Sequence, residues 1–105
     1  MIIVEVIWTK FALSSLSKIY EYSKFNAGRN IANEIKDELI DVSIQLKEHP
    51  LSGAEEEHLA KLKQGHRYLV KDKFKVIYKI SNDILYITDV FGARQNPEKI
   101  RRRNQ

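Results

Sequence analysis

Apolar and polar positions change period twice along this chain. Over residues 2–8 they alternate weakly, with Ile2, Val4, Val6 and Trp8 set against Ile3, Glu5 and Ile7. A period of two predicts a first strand, and apolar residues on both faces predict that it is well covered. From Thr9 onward the period lengthens. Leu13, Leu16, Ile19, Tyr20 and Ser23 form one stripe, with Ser14, Lys18 and Glu21 outside it. This predicts an amphipathic helix with Thr9 as its N-cap. Asn26-Ala27-Gly28 interrupts the pattern. A second helix is predicted over about residues 29–48, with Ile31, Ile35, Leu39, Val42 and Leu46 on its core face. Pro50 stops it, because the residue before a proline avoids the helical region. So short a break between the helices predicts an antiparallel hairpin.

Residues 51–65 read as a connector with structure of its own. Ser52-Gly53-Ala54-Glu55 fits a capping box. Glutamates early and Lys61 and Lys63 late suit a helix dipole, so a short helix is predicted over about residues 54–63, docked by Leu59 and Leu62. From His66 the period returns to two. One strand follows from His66. A second, over residues 73–80, puts Phe74, Val76, Tyr78 and Ile80 on one face and Lys75, Ile77 and Lys79 on the other. A third, over residues 83–91, is apolar on both faces and is therefore placed inside the sheet. The breaks between these strands are short enough to permit only antiparallel neighbours. The chain then leaves through Gly92 and carries Arg94 just past a strand end. The order is β-α-α-β-β-β. The class is α+β: a helical hairpin packed on one face of a small, mainly antiparallel four-stranded sheet.

Composition narrows this picture. A chain of 105 residues, 43% hydrophobic and 30% charged, is one domain with a modest core. That domain is expected over residues 1–100, followed by a basic tail over residues 101–105. There is no cysteine, so there is neither a disulfide framework nor a thiolate metal site. No apolar run approaches the roughly 20 residues of a spanning helix. The N-terminus lacks the basic start of a signal peptide. A soluble, cytoplasmic protein is expected. The formal charge is +4, from 18 basic and 14 acidic residues. Without Arg101, Arg102 and Arg103 the balance is 15 against 14, or +1, so the basicity lies in the tail.

Chemistry is then sought among few residues. Arg67, Lys75, Lys79 and Arg94 belong to the sheet region and together suggest a positive patch for a phosphate backbone. A solvated outer sheet face explains the same residues. His49, His58 and His66 have no metal-pair spacing, and no metal or other cofactor is expected. His66 adjoins Arg67 and offers a general base, or simply a surface histidine. An exposed tyrosine beside basic residues can stack on a base, but Tyr78 falls in register with Phe74 and Val76 and so reads as core.

Several stretches, taken in order, resemble the RelE/ParE toxin superfamily of bacterial type II toxin–antitoxin systems. Trp8-Thr9-Lys10-Phe11-Ala12 with Leu13 and Leu16 is similar to its strand-to-helix start. Leu46, Pro50 and Gly53 resemble the end of its helical hairpin. Arg67-Tyr68-Leu69-Val70, residues 74–80, residues 87–91 and Arg94-Gln95-Asn96-Pro97-Glu98-Lys99-Ile100 resemble its sheet and C-terminal elbow. The resemblance implies a toxin that arrests bacterial growth and is neutralised by a cognate antitoxin. It implies Arg67, Lys75 and Arg94 as candidate catalytic residues, and His66, Lys73, Lys79, Lys99 and Arg101 as RNA- or partner-binding residues. RNA-cleaving members carry a tyrosine or histidine near the C-terminus, where this chain continues Gln-Asn-Pro-Glu-Lys-Ile after Arg94. The first implied function is therefore poisoning of DNA gyrase, in the manner of ParE-like members. The alternatives are ribosome-dependent mRNA cleavage, in the manner of RelE-like members, and a non-toxic module that only binds an antitoxin.

Overall fold

The computed structural model describes residues 1–56 and 63–92. The first strand, β1 (Glu5–Trp8), runs directly into α1 (Lys10–Ala27). Thr9 is extended, and its Oγ1 accepts the amide of Ala12 at 3.1 Å, as an N-cap should. Thr9→Ala is expected to cost about 1 kcal/mol in urea unfolding, with an unchanged slope. Gly28 ends α1 and begins α2 (Arg29–Glu48) with φ of 94°, a left-handed value that disfavours side chains. The two helices form the predicted hairpin, and α2 has the predicted bounds.

The hairpin covers one face of a five-stranded sheet in the order β1-β5-β4-β3-β2. Its strands after the helices are β2 (Ala54–Glu55), β3 (Arg67–Lys71), β4 (Phe74–Ser81) and β5 (Ile84–Gly92). The sheet is mixed, with five strands among the described residues where four were expected. β1 lies parallel to β5, pairing Glu5 with Ile84 and Trp8 with Ile87, and the other neighbours are antiparallel. A parallel pair needs a long crossover, and the rest of the fold supplies it. Two-residue turns join β3 to β4 and β4 to β5. At the second, Asn82 and Asp83 both have positive φ, 52° and 64°, which matches the right-handed twist of the flanking strands.

Leu16 of α1 and Leu39, Val42 and Leu46 of α2 are buried against Val76, Tyr78, Leu85, Ile87 and Val90. The helix stripes are rotated from the expected ones. Leu13 and Ile31 are exposed, while Ala12, Ser15 and Ala32 are buried. Ser15 is drawn inward by a polar contact: its Oγ donates to Asp89 Oδ1 at 3.1 Å. Beside it the β4–β5 ladder carries a bulge, where Ile77 faces Asp89 and Tyr78 faces Ile87, leaving Thr88 as the additional residue of β5. The first strand is also shorter and less covered than expected. Ile2 and Val4 are exposed, because the ladder to β5 begins only where Val4 N–H meets Asp83 O.

The helix predicted from residue 54 is replaced at its start by a strand. Ala54 pairs with Tyr68 and Glu55 with Arg67, so a ladder with β3 satisfies backbone groups that the capping box would have served. Residues 57–62 lie outside the described region. Beneath this segment the Tyr78 hydroxyl donates to Pro50 O at 2.8 Å and accepts the Gly53 amide at 3.0 Å. Burial raises the phenol's pKa above its ordinary value, so the hydroxyl remains a donor at neutral pH. No described helix is long and apolar enough to cross a membrane.

Candidate functional site

The register of β3 and β4 decides where the basic residues go, because cross-strand partners share a face. Arg67 is opposite Tyr78, which is a core residue, so Arg67 lies on the helix side of the sheet. Its Nη1 donates to Gly53 O at 2.8 Å. Tyr68 is opposite Ile77, and these two lie on the outer face with Phe91. Alternation along β4 adds Lys75 and Lys79 to that outer face, and alternation along β3 adds His66. Arg67 and Lys75, expected to act together, are therefore on opposite sides of the sheet. Counting alternation within each strand was sound, but only the hairpin register relates one strand's count to the other's. Arg94, Lys99 and Arg101 lie outside the described residues, as does His58.

The outer face holds a side chain that the sequence reading placed in a helix. The β2–β3 ladder continues one residue further, with the Glu56 amide donating to His66 O at 2.9 Å. Glu56 is 1% exposed, and its carboxylate is 2.5 Å from the Lys75 ammonium. Lys75 lies over the Tyr68 ring, 4.1 Å from its centre, so its charge is met by both a carboxylate and an aromatic face. The Lys79 ammonium donates to Gln64 Oε1 at 3.0 Å. Lys73 belongs elsewhere: it sits in the β3–β4 turn and lines a groove on the helix side.

His66 is 4% exposed, and its Nδ1 has no hydrogen-bond partner among the described residues. Burial lowers its pKa below the ordinary histidine value. The Lys79 charge lowers it further, and Glu56 partly opposes the shift. The unfolded chain therefore binds a proton more readily than the folded one. Stability from this site is complete above about pH 6.5 and falls as the pH drops below it. The urea midpoint is expected to fall between pH 7.5 and 5.5. His66→Gln is expected to shrink that fall, which urea titrations at both pH values would measure.

The groove is the second feature of note. Ile19, Tyr22 and Asn26 of α1, Ile31 and Ile35 of α2, and Phe74 of β4 line a depression of about 920 Å³. Lys18 and Lys73 stand at its lining, and Phe25 at the hairpin tip is 90% exposed. Sequence reasoning assigned Ile31 and Ile35 to the core and so left no groove. The available signal was Phe25 beside Tyr22, two large rings at the end of a helix just before its break. Among the described residues, no three His, Cys, Asp or Glu side chains gather as a metal site.

Comparison with known proteins places this arrangement. A family model described as the ParE toxin of the type II toxin–antitoxin system parDE matches residues 6–97. No curated protein matches the chain. Among solved structures, a chain from "Chromosomal ParDE TA system from P. aeruginosa" superposes with a TM-score of 0.70 at 16% identity. The superposition covers 86% of this chain and 96% of that one, and at such identity it speaks for the fold. With the family model matching well over half of the chain, the chain belongs to the ParE toxin family of type II toxin–antitoxin systems.

Proposed function

We propose that this toxin arrests bacterial growth by acting on DNA gyrase, and that a cognate antitoxin neutralises it. The observation that carries the choice of target is the state of the two candidate catalytic cations that lie among the described residues, Arg67 and Lys75. Cleavage of RNA through its 2′-hydroxyl needs a base, an acid and cations gathered around one phosphate. Arg67 donates to Gly53 O on the helix side, while Lys75 is held by Glu56 on the outer side. Neither is presented with the other to one phosphate. The antitoxin's neutralising segment docks in the groove, its apolar residues on Ile19, Ile31, Ile35 and Phe74 and its acidic residues toward Lys18 and Lys73.

Induced expression in a bacterial host, with mRNA ends mapped and purified gyrase assayed for supercoiling, tests the target. Growth arrest with intact messages and inhibited supercoiling is expected. Fresh cuts inside translated codons would overturn the gyrase reading in favour of the RNA-cleaving one. One observation favours a second reading, the non-toxic antitoxin-binding module: the side chain that meets Lys75 comes from the protein itself. Antitoxin binding without any growth arrest would establish that module.

A further inference from the structure

The basic outer face of the sheet is left unused by the gyrase reading. We propose that it is an oxyanion site with Glu56 as its built-in occupant, and that a phosphate group enters when the Glu56 carboxylate is withdrawn. The inference goes beyond the gyrase reading and does not depend on it.

Three observations converge. First, Glu56 is a carboxylate 1% exposed on a sheet face away from the main core. A buried anion is costly unless cations compensate it, so its position reports a local positive field. Second, two lysines share this face with Glu56. Lys75 pairs with Glu56 directly, and the charges of Lys79 and Glu56 both reach His66. Withdrawing the carboxylate leaves the Lys75 ammonium over the Tyr68 ring without that anion. Third, His66 is more than nine-tenths buried, with Nδ1 unpartnered among the described residues. Buried polar atoms ordinarily have partners, and the His66 ring feels the charge of the same carboxylate. A tetrahedral oxyanion offers several acceptors where a carboxylate offers two, and ammonium donors suit both.

The geometry also explains why the site would be closed as it stands. Glu56 is tied to β3 through its own amide, so its carboxylate is delivered to Lys75 by the β2–β3 ladder. An intramolecular anion competes at high effective concentration with any phosphate in solution.

The test is the binding of inorganic phosphate and of an RNA hexamer to the full chain and to Glu56→Gln. Binding would be followed by the His66 ring NMR signals and by thermal unfolding at constant ionic strength. Glu56→Gln is expected to bind at least one of these probes at least about tenfold more tightly than the wild type. The added Lys75→Met change is expected to abolish that gain. Saturation by inorganic phosphate alone marks a small-anion site. Binding of the hexamer, displaced by phosphate, marks a strand site. A Glu56→Gln protein that binds neither better than the wild type overturns the proposal, as does a gain that survives Lys75→Met. Should Glu56→Gln fail to unfold cooperatively, Glu56→Asp draws the carboxylate back by one methylene. It is expected to fall between wild type and glutamine, and no gain there overturns the proposal equally.

Discussion

Gly53→Ala is expected to destabilise the protein by about 3 kcal/mol, and Tyr78→Phe by about 2 kcal/mol. A Cβ on Gly53 would stand 2.5 Å from Tyr68 O and 2.6 Å from the Tyr78 hydroxyl oxygen, and backbone cannot yield as a flexible side chain does. Tyr78→Phe keeps the ring but strips a buried donor from Pro50 O and a buried acceptor from the Gly53 amide. Both changes loosen the segment that carries β2 and Glu56. Urea unfolding would measure the costs. The two should combine with less than additive loss, because each disturbs the same contact. Full additivity would mean that the phenol and the glycine act independently.

Ile31→Glu is expected to free the toxin from its antitoxin while leaving the fold intact. Ile31 is 42% exposed and lines the groove, so little core packing is lost. It lies in the first turn of α2, where a negative charge is favourable for the helix. Against an acidic, apolar segment the same charge replaces a buried contact with repulsion, worth about 2 kcal/mol or a loss of about thirtyfold in affinity. Calorimetry on the purified pair would read the affinity. Cells expressing both proteins should stop growing with the variant and continue with the wild type. Unchanged affinity would move the neutralising contact away from this groove.

The helical half of the fold was legible because its signals are local. Thr9, Gly28 and Pro50 mark the ends of two periodic stretches, and the structure ends the helices there. The two turns of the β3–β5 meander were legible for the same reason. What failed depends on partners distant in sequence. Ser52 and Glu55 have the spacing of a helix cap, yet Ala54 and Glu55 take a strand because Tyr68 and Arg67 stand ready beside them. The parallel pairing of β1 leaves no trace in its own alternation. At the site, alternation along β4 set Lys75 on the face opposite Phe74, Val76 and Tyr78, and the register of the sheet agrees. Glu56 was missed because it was counted into the first turn of the expected helix, where acidic residues are ordinary. Arg67 was grouped with Lys75 because no single strand reveals which face its neighbour's odd positions share.

The pairing of β1 with β5 has a consequence for how the toxin comes into being. Glu5 meets Ile84, so the first strand made waits for almost the last described one. A chain under synthesis can form its helical hairpin early, since those contacts are close in sequence. Leu39, Val42 and Leu46 then have no sheet to cover them until β4 and β5 are complete. Contacts so far apart close slowly and late. A nascent or truncated chain ending before residue 84 therefore lacks the interior neighbour of its first strand. The fold is withheld until β5 has been made, and a chain still short of it has no completed sheet to present to a partner.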